Sequence, residues 1–166
     1  GPLIDLKGQV IGINAAVIFG AQNIGFAIPI EKAHRDLDAI QKFGRIRRPF
    51  IGIRYVVLND ALQKHFSLPV NYGALVIRET IPGDHAVIPG SPAHAAGIRE
   101  SDIILSCNGK TITEYKTLED ILETTSPGEE VNLIVLRGDK KETFKLKLRE
   151  RKADTGYSTH PPNVKA

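Results

Sequence analysis

Residues 90–109 read Gly90-Ser91-Pro92-Ala93-His94-Ala95-Ala96-Gly97-Ile98-Arg99-Glu100-Ser101-Asp102-Ile103-Ile104-Leu105-Ser106-Cys107-Asn108-Gly109. Residue chemistry alone divides this string into three elements. Ser91 suits the N-cap of a helix, and Pro92 suits its first turn, where a missing N–H costs nothing. Gly97 closes the helix after little more than one turn, because glycine accepts the left-handed conformation of a C′ residue. Asp102 to Cys107 is apolar and β-branched and reads as a buried strand. Asn108-Gly109 then turns the chain back into Lys110-Thr111-Ile112, since both residues tolerate positive φ.

Upstream, Phe50-Ile51-Gly52-Ile53-Arg54-Tyr55-Val56-Val57-Leu58 has the composition of one strand with a glycine near its entry. Asn59 can cap a short helix from Asp60 to Phe66, which must stop before Pro69. Gly73 to Thr80 reads as another buried strand. Downstream, Thr117-Leu118-Glu119-Asp120 has the form of a capping box and opens a helix to about Glu123, with Leu118, Ile121 and Leu122 on one face. Val131 to Leu136 and Thr143 to Leu148 form a hairpin around Gly138-Asp139. Beyond Arg151 the chain is polar and proline-containing, which predicts a disordered tail or linker over 151–166.

The first 44 residues are organised differently. Leu3 to Leu6, Val10 to Ile18 and Ile24 to Ile30 are strand-like, with turns at Asp5-Leu6-Lys7-Gly8 and Phe19-Gly20-Ala21-Gln22-Asn23. Three strands with apolar residues on both faces cannot enclose a core alone. From Glu31 the period lengthens: Ala33, Leu37 and Ile40 define a connecting helix that ends at Gly44.

Composition restricts the chemistry. The 22 Lys+Arg and 19 Asp+Glu give a net charge of +3, and no basic run is interleaved with aromatics as nucleic-acid binding favours. Arg45-Ile46-Arg47-Arg48 is the densest basic patch and reads as a solvated linker. One cysteine, Cys107, excludes an internal disulfide and a cysteine-based zinc site; its place in a strand predicts a half-buried structural thiol. His34, His65, His85, His94 and His160 lack metal-ligand spacing, so neither a metal nor another cofactor is expected. Ser91 and His94 are close in sequence, but a helix cap explains Ser91 and no Gly-x-Ser-x-Gly elbow exists. Ser158 and His160 lie in the polar tail. No stretch of 18 apolar residues is present, so no membrane-spanning helix is expected.

The string at 90–109 resembles the signature G-S-P-A-x-x-A-G-[LI]-x-x-x-D-[IV]-I-L-x-x-N-G of PDZ domains of the bacterial type. That resemblance implies a carboxylate-binding loop at Phe50-Ile51-Gly52-Ile53, whose successive N–H groups at 51, 52 and 53 converge on the terminal carboxylate of a peptide. The peptide would add as a strand beside 52–57, past Arg54 and Tyr55, with its last side chain against Leu118, Ile121 and Leu122. Leu118, where some PDZ domains place a histidine, implies apolar residues at the ligand's C-terminus and two positions before it. One departure is visible: Asp84 to Pro89 is inserted between the expected turn at Ile81-Pro82-Gly83 and Gly90, and extends a loop or hairpin there.

The opening block, Gly1-Pro2-Leu3-Ile4-Asp5-Leu6-Lys7-Gly8-Gln9-Val10-Ile11-Gly12-Ile13-Asn14 with Ile24-Gly25-Phe26-Ala27-Ile28-Pro29-Ile30, resembles the end of the trypsin-like domain of HtrA (DegP-like) serine proteases. The family's nucleophile motif, G-N-S-G-G-P-L, would overlap this sequence from Gly1, which puts the catalytic serine two residues earlier and its His and Asp partners further upstream. The resemblance makes Asn14, Ala15, Ala16, Gly25, Phe26 and Ala27 remnants of a protease pocket and leaves no catalytic residue in the chain.

The expected fold is α+β: a PDZ domain at 45–150, a small partial β-barrel with two helices, preceded by strands of a trypsin-like double β-barrel at 1–30 and a linker helix at 31–44. The expected function is binding of protein C-termini or unfolded apolar segments, as the non-catalytic, regulatory part of an extracytoplasmic serine endopeptidase of protein quality control. Two alternatives accompany it. One is homo-oligomerisation driven by the unpaired edges and apolar faces of residues 3–30. The other is an active endopeptidase only when the upstream part completes the site. Nucleic acid and membrane are not expected partners.

Overall fold

The computed structural model describes residues 1–17, 25–78 and 83–151. The chain forms two compact units that divide between Arg47 and Arg48. The expected turn at 19–23, the Ile81-Pro82 turn and the tail beyond Arg151 lie outside the described residues.

The first unit is an antiparallel sheet of β1 (Pro2–Ile4), β2 (Val10–Val17) and β3 (Gly25–Pro29), in that order, followed by α1 (Ile30–Phe43). Asp5 shapes the first turn: its Oδ1 accepts from the N–H groups of Lys7 and Gln9 at 2.8 and 2.9 Å. Gly44 ends α1 in the left-handed region, its N–H donating to the Ile40 carbonyl, as the sequence implies. The sheet is poorly covered within its unit, and Ile4, Leu6, Ile11, Ile13, Phe26 and Ile28 are all exposed.

The second unit is built on an antiparallel sheet in the order β10-β9-β7-β6-β5: Lys140–Lys147, Glu130–Arg137, Ile103–Cys107, Ala74–Val76 and Tyr55–Val57. The short β8 (Lys110–Thr111) pairs with β7, and β4 (Pro49–Phe50) pairs separately with β11 (Arg149–Glu150). Three helices accompany the sheet, α2 (Asp60–Phe66), α3 (Pro92–Ala96) and α4 (Leu118–Leu122). The central strands β6 and β7 are buried on both faces, which is why they read as continuous apolar runs. Ile104, Val131, Leu133 and Val135 pack on one face with Ala93 and with Leu118, Ile121 and Leu122. Ile103, Leu105, Leu136 and Leu58 pack on the other, against Leu62 of α2 and Leu68, Val70 and Tyr72 of the following segment. Period-two alternation along β9 sends neighbours to opposite cores, whereas in β7 a register shift between Ile104 and Ser106 leaves Ile104 and Cys107 in the same one.

Three expectations change. The single strand expected from Phe50 to Leu58 is two, β4 and β5, separated at Gly52, whose φ of 83° cannot continue a ladder. The strand expected over 73–80 is shorter, although the Ile77 N–H still reaches the Arg54 carbonyl. Cys107 is fully rather than half buried, and burial pushes its thiol up to about 11.

Candidate peptide-binding site

The cap predicted at Ser91 does more than end a helix. Its Oγ accepts from the His94 N–H at 3.2 Å and donates to the Gly52 carbonyl, also at 3.2 Å, so the signature of residues 90–109 holds the loop at 50–53 directly. The approach is close: a Cβ on residue 52 would stand 2.1 Å from the Ser91 Cβ. Glycine is therefore required there twice, by φ and by space.

Two further bonds orient this loop. The Ile51 carbonyl accepts from the Ala93 N–H of α3, and the Gly52 carbonyl accepts from the Ile88 N–H, both at 2.9 Å. Among the described residues no peptide bond is cis. In a planar trans peptide the following N–H points opposite to the carbonyl, so the N–H groups of Gly52 and Ile53 are turned away from α3 and from residues 88–91. Two successive donors thus face outward.

Backbone bonding also defines the open strand edge. Arg54 donates its N–H to the Ala86 carbonyl at 2.8 Å and accepts from Ile77, while Leu58 donates to the Gly73 carbonyl. The even-numbered residues of this stretch turn inward. Alternation then directs the backbone groups of Ile53, Tyr55 and Val57 outward. β5 ends the strand order, so among the described residues no strand pairs with that edge.

The 84–89 insertion, whose role the sequence does not reveal, is a structural partner of this loop. Val87 forms a bridge with Ile53, and Ala86 and Ile88 supply the inward bonds that the short β6 cannot reach. Asp84 meets the Arg54 guanidinium, with Nε 2.7 Å from Oδ1. Ser91 and Ala86–Ile88 are the positioning residues missed from sequence; the glycine inside an apolar run was the only local hint.

On the outward side stands α4, fixed by a complete capping box: Asp120 Oδ2 accepts from the Thr117 N–H at 2.9 Å while Thr117 Oγ1 accepts from the Asp120 N–H. Tyr55 spans from the open edge to this helix, its hydroxyl accepting from the Glu119 N–H at 3.3 Å. Burial, opposed by that hydrogen bond, raises the Tyr55 phenol above its usual pKa. The structure thus gathers Ile51, Gly52, Ile53, Tyr55 and α4. Phe50 belongs to β4, behind the loop, and the Arg54 side chain turns to Asp84. Leu118 and Ile121, only 1% exposed, and Leu122, at 8%, all belong to the core. The half-buried Tyr55 ring packs against that same cluster.

In the first unit, the six residues expected from a protease pocket fall together on β2 and β3. Asn14 pairs with Ala27, Ala16 with Phe26 and Val17 with Gly25, and a register shift at Ala15 interrupts the ladder. Among the described residues no group of three or more His, Cys, Asp or Glu side chains could hold a metal ion.

An edge strand beside a helix, ending in a glycine loop with outward N–H groups, is the arrangement by which a domain accepts a peptide as an extra strand. The sequence profile of the PDZ domain matches residues 49–148, and the chain belongs to that family. Its relatives are proteases of the HtrA/DegP type. It is 37% identical over 143 residues to the "Periplasmic pH-dependent serine endoprotease DegQ" of Escherichia coli, which covers 84% of this chain and 30% of that protein. It is 36% identical over 151 residues to the "Probable periplasmic serine protease do/HhoA-like" of Haemophilus influenzae, covering 89% and 31% respectively. Among solved structures, "HtrA-type protease AlgW with decapeptide" superposes with a TM-score of 0.70 at 26% identity, over 92% of this chain and 45% of that one. Coverage of 89% exceeds what the second unit can supply alone, so the likeness extends into the first. The chain spans about a third of the length of these curated relatives.

Proposed function

We propose that the second unit binds the C-terminus of a partner polypeptide as a strand along the β5 edge, with the terminal carboxylate on the N–H groups of Gly52 and Ile53. The observation that carries this reading is the inward anchoring of the Ile51 and Gly52 carbonyls, which sets two donors facing out at the end of an unpaired edge. The Ile51 N–H is the third donor. The last ligand side chain enters beside Ile53 and Leu122. A side chain two positions earlier meets the Tyr55 ring rather than Leu118, which lies in the core; apolar residues at both positions fit these surfaces. The similar structure is of AlgW with a decapeptide, which supports a peptide ligand for the matching unit here.

In the longer protein to which such a unit belongs, binding of C-termini or unfolded segments regulates or presents substrate to an HtrA-type serine endopeptidase, placed outside the cytoplasm as its relatives' names indicate. For the residues in hand we read binding without hydrolysis, because the family resemblance assigns none of them to the catalytic triad. Ile53→Asp puts an acid beside the incoming carboxylate and abolishes calorimetric binding of free-carboxylate peptides through repulsion and desolvation. Unchanged affinity in a folded variant refutes the loop assignment. A casein assay that shows turnover surviving repurification refutes the non-catalytic reading.

A second reading applies to the first unit. Apolar side chains are exposed on its sheet and helix, including Ile4, Phe26 and Phe43. Association through this unit buries them. Sedimentation velocity across a hundredfold concentration range tests it, and a strict monomer throughout rejects it.

A further inference from the structure

The sheet of the second unit has a second end, at β10. The Gly138-Asp139 turn sets Lys140 opposite Arg137, and the ladder continues past the strand, with the Leu148 N–H donating to Glu129 at 2.8 Å and its carbonyl accepting from Gly128 at 2.9 Å. Even-numbered residues therefore bond toward β9. The backbone groups of Lys141, Thr143, Lys145 and Lys147 alternate outward, and no described strand pairs with them.

Beside this edge runs a cleft of about 430 Å³ between β10 and α3, with Ala95 and Ala96 on one wall and residues 145–149 on the other. Its two sides differ in chemistry. Leu146 and Leu148 point to the core face, where α3 packs, while Lys145 and Lys147 are exposed on the opposite face. Positive charge there is largely uncompensated across the ladder: Asn132 stands opposite Lys145 and Leu136 opposite Lys141, and only Lys147 faces a carboxylate, Glu130. Arg149 adds a further cation at the end of the cleft, its guanidinium donating to the Gly90 carbonyl at 2.7 Å.

We propose that the β10 edge and the α3 cleft bind an extended internal segment of a partner protein in which acidic residues alternate with small apolar ones. Such a segment adds to the sheet through the outward N–H and C=O groups. Its alternate side chains fall on opposite faces, so the small apolar ones meet Ala95 and Ala96 while the acidic ones meet Lys141, Lys145 and Lys147. A second copy of this edge is the wrong occupant, because facing rows of lysines repel. The ligand needs no free C-terminus, and this site does not depend on the reading of the β5 edge.

The test uses the full chain, labelled with ¹⁵N, and an acetylated, amidated heptapeptide of alternating glutamate and alanine or valine. The expected result is saturable amide shifts on residues 141–149 and on α3, with affinity falling at least tenfold between low and 0.5 M salt. Lys145→Glu with Lys147→Glu should weaken binding at least tenfold, and Ala95→Phe, which fills the cleft from an exposed position, should do so without changing the charge. Shifts confined to residues 53–57, affinity unaffected by either variant, no binding, or equal affinity for a peptide of the same composition with its glutamates grouped at one end would each overturn the proposal. Because the probe lacks a terminal carboxylate, its failure leaves the β5 assignment standing, and failure of carboxylate peptides at β5 leaves this one standing.

Discussion

Replacing Gly52 with alanine separates two costs that coincide at this position. The first is conformational: φ is 83°, and an L-residue held in the left-handed region loses about 1–2 kcal/mol. The second is steric. The new Cβ would meet the Ser91 Cβ at 2.1 Å and its Oγ at 2.6 Å. A Cβ cannot be rotated away, so the loop or the start of α3 must shift, at the about 1–3 kcal/mol typical of overpacking. Gly109 provides the comparison, since its φ is 74° and an added Cβ there meets nothing within 4 Å. Urea unfolding should show Gly109→Ala losing only the conformational part, about 1–2 kcal/mol, and Gly52→Ala losing about 2–5 kcal/mol.

A double-mutant cycle isolates the steric part. In a Ser91→Gly background the colliding Cβ is gone, so Gly52→Ala should cost about 1–3 kcal/mol less than in the parent. The lost helix cap is common to both arms and cancels. Calorimetry under conditions where the variant is folded should show affinity for C-terminal peptides reduced at least tenfold, because the shifted loop no longer aims the Gly52 and Ile53 donors together. Equal losses for Gly52→Ala and Gly109→Ala, or an unchanged cost in the Ser91→Gly background, would refute the claim that Ser91 holds the loop by contact.

Asp102, 2% exposed, accepts from Arg137 Nε, Arg137 Nη2 and the Arg99 N–H, each at 2.8 Å. Asp102→Asn removes the buried charge and leaves the partly exposed Arg137 with only Glu142, at 3.5 Å, as a carboxylate partner, and should destabilise the domain by about 2–4 kcal/mol in chemical denaturation, whereas a loss under 1 kcal/mol would deny the pair a structural role. Cys107, raised to about 11 by burial, carries almost no thiolate at pH 8. Since only the thiolate reacts, labelling by a disulfide reagent should follow global unfolding and accelerate with urea; fast labelling independent of urea would contradict its burial. Tyr55→Phe removes the acceptor of the Glu119 N–H and should cost about 0.5–1.5 kcal/mol. Tyr55→Ala should shift peptide preference toward larger side chains two positions before the C-terminus, and an unaltered preference in a peptide array would remove Tyr55 from the groove.

What the sequence reveals here is what local chemistry determines. The caps at Asn59, Ser91 and Thr117 and the glycine termini at Gly44 and Gly97 all form as their residues require. The two ends of each such motif lie within a few residues of each other. The site is less legible because its decisive contacts join distant segments. Phe50 to Leu58 reads as one strand until Ser91, 39 residues away, is known to occupy the space beside Gly52. Residues 84–89 look like an unexplained insertion until Val87 is seen against Ile53. Leu118, Ile121 and Leu122 share a helical face by periodicity, but periodicity cannot say whether that face meets a ligand or a core. Here Val131, Leu133 and Val135 supply the core that covers it.

If both proposals hold, one antiparallel sheet whose end strands pair with no other described strand offers two strand-addition sites, and their chemistry keeps the ligands apart. At β5 the edge terminates in a loop whose outward donors call for a chain end, and the Arg54 side chain there is engaged by Asp84. At β10 no described strand pairs with the edge, and the exposed face carries Lys141, Thr143, Lys145 and Lys147. A carboxylate at a chain end suits the first, and a row of acidic side chains within a chain suits the second. The β5 and β10 edges are the two ends of one five-strand path, so the two peptides would pair with different strands even though the two sites approach each other where β11 pairs with β4. Both sites can then be filled at once. A free-carboxylate peptide should bind with the same affinity, within twofold, whether or not the amidated acidic peptide is saturating. Competitive displacement would show that the two probes share one groove, and the assignment of separate edges would fall.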